Sequence, residues 1–98
     1  MKIEVRQVSH PEAAKGFDTA ALRRHFLIES LFQPDEIALT YSHIDRLVIG
    51  GAMPASKALE LAAPKPIGTK SFMARRELGV VNIGGAGRVR ADGAVHDL

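Results

Sequence analysis

Two short charged clusters hold the side chains best suited to chemistry: His43, Asp45 and Arg46, and then Arg75, Arg76 and Glu77. A histidine and a carboxylate two residues apart share one face of an extended backbone. From there Asp45 could orient the imidazole of His43. The simpler expectation is that His43 hydrogen-bonds at a strand end and Asp45 opens a turn, because a lone His–Asp pair is a weak ligand signal. Asp45-Arg46, an adjacent charged pair before an apolar run, reads the same way. Arg75 and Arg76 offer guanidinium forks that could bind a carboxylate through paired N–H donors. The competing expectation for Arg75-Arg76-Glu77 is a strand-edge salt bridge or an oligomer contact, since surface charge clusters usually have no site role.

The remaining polar candidates carry less. His10, His25 and His96 are widely spaced, no His-x-His pair occurs, and there is no cysteine. Spacing alone therefore nominates no metal site. Arg24 and His25 read as a solvated helix face. Gly84-Gly85-Ala86-Gly87 reads as a backbone corner rather than a phosphate cradle. Arg90 stands where a dinucleotide fingerprint needs its third glycine, and a strand pattern follows instead of a helix. Asn82 is expected to bridge backbone groups at that corner.

The elements that must position these residues are mostly short strands. Lys2 to Val8 suits a first strand with Ile3 and Val5 on one face, broken at His10-Pro11. Asp18 is a helix N-cap for Thr19 to Glu29, a helix that should be short because Leu27-Ile28 turns extended. Leu22 and Phe26, one turn apart, are expected to face the core. Gln33-Pro34-Asp35 is a turn. Glu36 to Ser42 alternates as a half-buried strand. Leu47-Val48-Ile49 is a buried strand that Gly50-Gly51 lets bend or bulge, with Pro54 ending it. Lys57 to Ala62 is a short strand, with helix as the alternative. Ala63 to Gly68 is the clearest loop. From Arg75 the pattern is strand, glycine corner, strand, then Asp92-Gly93, the preferred pair for a type I′ hairpin turn, and a returning strand. Many short strands with turn signals point to a mainly β sandwich or barrel with one short N-terminal helix.

Composition sets bounds. Ninety-eight residues with 46% hydrophobic and 24% charged side chains suit one small domain with a thin core. A net charge of +2 is too small to imply nucleic acid. No aromatic residues interleave with the basic ones as a single-strand platform requires. The N-terminus lacks the apolar run of a signal peptide, and no stretch is long enough to span a membrane. The absence of cysteine is compatible with a reducing cytoplasm.

The stretch Gly79-Val-Val-Asn-Ile-Gly-Gly-Ala-Gly-Arg-Val-Arg-Ala-Asp-Gly93 resembles the central hairpin of a cupin barrel, and more closely the 5-keto-4-deoxyuronate isomerase family. The resemblance extends through Asp18-Thr19, Leu22-Arg23-Arg24, Tyr41 to Arg46 and Gly50 to Pro54, in order and with similar gaps. It implies a partial cupin-like barrel or jelly-roll sandwich over residues 1–98, as the N-terminal, incomplete part of a protein well over twice this length. It further implies a cytoplasmic homo-oligomer in pectin or uronate breakdown. There it would interconvert 5-dehydro-4-deoxy-D-glucuronate and 3-deoxy-D-glycero-2,5-hexodiulosonate, an aldose–ketose isomerisation. The family's zinc is bound by three histidines and a glutamate in the second barrel half. None has a counterpart here, so no catalytic or metal-binding residue carries over, and this chain alone is expected to bind no zinc and to be inactive. His43, Asp45, Arg46, Arg75, Arg76 and Glu77 remain pocket or interface candidates. The alternative is a non-catalytic β module for binding or assembly.

Overall fold

A computed structural model describes residues 1–98. Strands dominate, in two open sheets. The first sheet has the order β1 (Lys2–Arg6), β2 (Ile37–Ser42) and β3 (Leu47–Ala52). β1 runs parallel to β2, with Ile3 opposite Leu39, and β3 runs antiparallel to it, with Thr40 opposite Ile49. The second sheet is the hairpin of β4 (Arg88–Ala91) and β5 (Ala94–Asp97). The mainly β class therefore holds, but neither sheet closes into a barrel.

β2 is central because its sequence tolerates burial on both faces. Ile37, Leu39 and Thr40 are all buried. Ile67 and Phe72 complete the core from the far side of the chain, with Ile3, Val48, Leu59, Leu61 and Ala63 packed around them. Phe72 is held there by a turn in which Ala74 N–H donates to Ser71 O and Thr69 Oγ1 donates to the same oxygen at 2.7 Å.

Gly50 and Gly51 do not bend β3. The strand runs through them in register with Leu39 and Ala38. Successive residues face opposite sides of a sheet, and both sides are occupied here. A Cβ on Gly50 would lie 2.5 Å from Leu39 Cδ2, and one on Gly51 would overlap the Leu31 carbonyl. The glycines are thus needed for close approach rather than for curvature.

The helical region is shorter and less buried than its pattern implied. His10-Pro11 starts a helix: the His10 side chain accepts from Glu12 N–H and caps α1 (Pro11–Ala14). Asp18 caps α2 (Thr19–Phe26), its carboxylate accepting from Ala21 N–H at 2.8 Å. α2 ends where Leu27 turns extended. Leu22 and Phe26 are 43% and 48% exposed, because α2 packs locally instead of onto the sheet. Phe17 stacks on His25 at 4.6 Å and tilts against Phe26 at 6.3 Å.

Two expected strands are missing. Lys57 to Ala62 is irregular. Its start is pinned by Asp35, a left-handed residue (φ 56°) whose carboxylate accepts from the backbone N–H groups of Ala55, Ser56 and Lys57 and from the Ser56 hydroxyl. Those bonds fold the backbone back on itself, while Leu59 and Leu61 reach the core singly. Val80 to Ile83 is also outside any ladder. A strand needs a partner for its N–H and C=O groups, and none lies beside this segment. Val81 and Ile83 are 84% and 73% exposed.

The hydrogen bonds to Asp35, first the Ser56 hydroxyl and then the backbone amides, hold its pKa far below the ordinary carboxylate value. A lowered folded pKa stabilises the fold above the unfolded value, about 3.9. The contribution is lost as pH falls below that value toward the folded one. Asp35→Ala should therefore weaken hydrogen-exchange protection at Ser56 and Lys57 above pH 5, with the difference from wild type shrinking as pH falls below about 4. Equal protection at pH 6 would contradict this account of the 55–57 turn.

The last hairpin follows its sequence closely. Asp92 and Gly93 have φ of 49° and 82°, as a type I′ turn requires. Reciprocal bonds between Gly87 and Leu98 extend the ladder past both strand ends. Asn82 does bridge the glycine corner, donating to Gly85 O at 2.9 Å and accepting from Gly84 N–H at 3.0 Å, but on the surface.

The whole is thinly covered. The accessible surface is 7658 Å², against about 5,500 Å² for a compact monomer of this mass. The radius of gyration is 15.5 Å, against about 13 Å for a compact chain of about 100 residues.

Candidate functional site

The sheet brings part of the first charged cluster into one place. β2 ends at Ser42, and His43 N–H donates to Arg6 O at 2.9 Å, extending the β1–β2 edge by one residue. Tyr41 and His43, two apart on this extended stretch, share a face. Their rings lie 4.7 Å apart and 32° from parallel. Ile44 N–H then donates to Ser42 Oγ, and Asp45 and Arg46 take left-handed conformations (φ 55° and 54°) to return the chain into β3. Asp45 is therefore a turn residue, with no hydrogen bond to His43.

The second cluster meets the first at one point. Arg76 Cζ lies 5.0 Å from the centre of the Tyr41 ring, in cation–π range. Phe72, buried four residues earlier, anchors the segment that delivers Arg76. Tyr41, His43 and Arg76 are half-buried, whereas Asp45, Arg46, Arg75 and Glu77 are exposed. None of the six ion pairs of the chain involves any of the six candidate residues. The expected salt bridge at Arg75-Arg76-Glu77 does not form within the chain, and that segment is not a strand. Two of the six candidates, His43 and Arg76, are thus brought together, with Tyr41 between them. Tyr41 was legible only as a strand residue. Its position two before His43 on an alternating strand was the signal that paired them.

This arrangement offers a guanidinium 5.0 Å and an imidazole 4.7 Å from one phenol ring. It suits holding an anionic, hydroxylated ligand.

A larger cleft of about 850 Å³ lies between the β1–β2 face and α2, and contains none of the six candidates. Its floor is apolar, with Ile3, Leu27, Ile28 and Leu39. Among its charged groups, Arg6 engages Glu4 and the Leu27 carbonyl and Arg23 engages Glu29, while Arg24 has no partner within the chain.

Zinc, implied by the resemblance, does not fit the residues present. No three His, Asp or Glu side chains converge. His10 caps α1, His25 bonds Ser9 and stacks on Phe17, His43 lies tilted against Tyr41, and His96 sits exposed on β5. No helix is long and apolar enough to cross a membrane.

No family model matches the chain. Individual relatives do. Over 96 residues it is 53% identical to the 4-deoxy-L-threo-5-hexosulose-uronate ketol-isomerase of Burkholderia cenocepacia, which covers 96% of this chain and 34% of that protein. The chain is homologous to about a third of that ketol-isomerase. The same-named ketol-isomerases of Salmonella newport and Salmonella enteritidis are each 51% identical over 98 residues, 98% of this chain and 35% of theirs. The chain thus spans about a third of the length of the curated ketol-isomerases it matches. The match runs through the Tyr41–His43 face, the Arg76 segment and the last hairpin alike.

Proposed function

We propose that this chain is the scaffold third of a ketol-isomerase that interconverts 5-dehydro-4-deoxy-D-glucuronate and 3-deoxy-D-glycero-2,5-hexodiulosonate in the cytoplasmic breakdown of pectin-derived uronates. The observation that carries the proposal is 51–53% identity across 96–98% of the chain to proteins of that name. An aldose–ketose isomerisation moves a proton between adjacent carbons and needs a base and an electrophile at the carbonyl oxygens. The histidines here are dispersed, so both belong to the other two-thirds of the enzyme, as does the family's zinc. Zinc held there would supply the electrophile. Residues 1–98 form an incomplete cupin-like domain that contributes a wall and a packing surface.

The excess accessible surface supports a scaffold role. About 2,200 Å² beyond the compact expectation is more than one side of a standard protein–protein interface, about 800 Å² per partner. The remainder of the isomerase chain is the occupant of matching size. The unpaired outer edges of β1 and β3 suit homo-oligomer contacts or further strand pairing. The test is an assay of a polypeptide that begins with this sequence and runs to the length of its relatives. It should convert the hexosulose uronate to its ketol isomer, and failure to do so while folded would refute the proposal.

A further inference from the structure

We propose that Arg76, Tyr41 and His43 form a carboxylate-binding subsite for a sugar acid. Only Arg6 and Arg76 are half-buried; the other arginines are exposed. Arg6 is satisfied by Glu4 and by the Leu27 carbonyl. Arg76 has no carboxylate within 4 Å and no hydrogen-bond acceptor within the chain, yet none of its nitrogens is sealed from solvent. It is held over the Tyr41 ring with its donors free.

A guanidinium held on an aromatic face keeps its planar fork, because the ring fixes the side chain without consuming N–H groups. That fork matches a carboxylate through two parallel hydrogen bonds. His43, 4.7 Å from Tyr41 on the same strand face, adds a group that can donate to or accept from a hydroxyl. The Tyr41 and His43 rings, tilted 32° to each other, add aromatic surface beside these polar atoms. A carboxylate carried on a hydroxylated carbon skeleton satisfies all three, whereas a bare inorganic anion uses only the fork. The choice of a uronate among sugar acids rests on the isomerase reading above.

The test titrates the isotopically labelled 98-residue chain with D-galacturonate and, separately, with D-galactose, followed by NMR. D-galacturonate should produce saturable shifts at the His43 amide and the Arg76 side-chain N–H, and D-galactose should not. Arg76→Ala should weaken D-galacturonate binding at least about tenfold, the loss expected for a charge-assisted hydrogen bond. Arg76→Lys, which keeps the charge but not the fork, should bind more weakly than wild type. Equal affinity in wild type and Arg76→Ala, or shifts confined to other residues, would overturn the proposal. In the full-length isomerase the same substitution should raise KM for the uronate about tenfold with little change in kcat, and an unchanged KM would overturn it even if the shorter chain gave poorly dispersed spectra. The two readings fail separately. Uronate binding at Arg76 in a full-length protein without isomerase activity would sink the isomerase reading alone. Activity with an indifferent Arg76 would sink the subsite alone.

Discussion

Phe72→Ala should unfold most of the first sheet's packing. Phe72 is one of four buried hydrophobic residues, with Ile37, Leu39 and Ile67. Truncating a buried phenylalanine costs about 3–5 kcal/mol, because the lost transfer energy is joined by the cavity left behind. A domain's whole stability is about 5–15 kcal/mol, and this core is thin enough to lie near the lower end. The substitution should also release the segment that carries Arg76 over Tyr41. Chemical denaturation followed by circular dichroism measures the first effect. A midpoint shift worth under about 1 kcal/mol would contradict the placement of Phe72 in the core.

Gly51→Val should be nearly as damaging, for the opposite reason. A Cβ at Gly51 would overlap the Leu31 carbonyl, which is backbone and cannot swing aside as a side chain can. Overpacking of this kind costs about 1–3 kcal/mol and occasionally more. The strain should appear as loss of the β2–β3 ladder near Ala38, the residue opposite Gly51, rather than as a uniform loosening. Amide exchange at Ala38 and Leu39 reports it. Unchanged protection there would show that the segment around Leu31 does not approach the sheet. Gly50→Ala is the milder comparison, because its nearest neighbour is the flexible end of Leu39.

What the sequence could show follows from how local each signal is. Asp18 as a cap, the extended turn at Leu27 and the Asp92-Gly93 hairpin each depend on a few neighbouring residues, and each is found as read. The alternation of Ile37 to Ser42 likewise marks β2. Long-range consequences were not legible. Val80 to Ile83 has the composition of a strand, but a strand exists only where a second one accepts its hydrogen bonds. Leu22 and Phe26 have helical spacing, but spacing does not say whether a face meets the sheet or a nearby Phe17. The Gly50-Gly51 pair gave the right place and the wrong reason, since the sequence alone does not reveal Leu31 crossing above it. The same holds for the candidate site. The types and positions of His43 and Arg76 were visible, but their meeting across Tyr41 depends on Phe72 entering the core. Asp45 was correctly legible as a turn residue, because the turn is local.

The uncovered apolar surface links fold to proposed function. Val81 and Ile83 stand in solvent beside a hairpin that keeps its register. Exposed apolar patches of this kind mark surfaces that other protein covers. In the isomerase reading, that cover is the rest of the enzyme, and the chemistry lies there.

The most direct test compares two polypeptides in one assay, residues 1–98 alone and a chain that begins with them and runs to the length of the curated ketol-isomerases. Each is incubated with 4-deoxy-L-threo-5-hexosulose uronate and the products are followed by NMR. The account predicts conversion to the ketol isomer by the long chain and none by residues 1–98. Turnover by residues 1–98 alone, or a folded long chain without turnover, would contradict it.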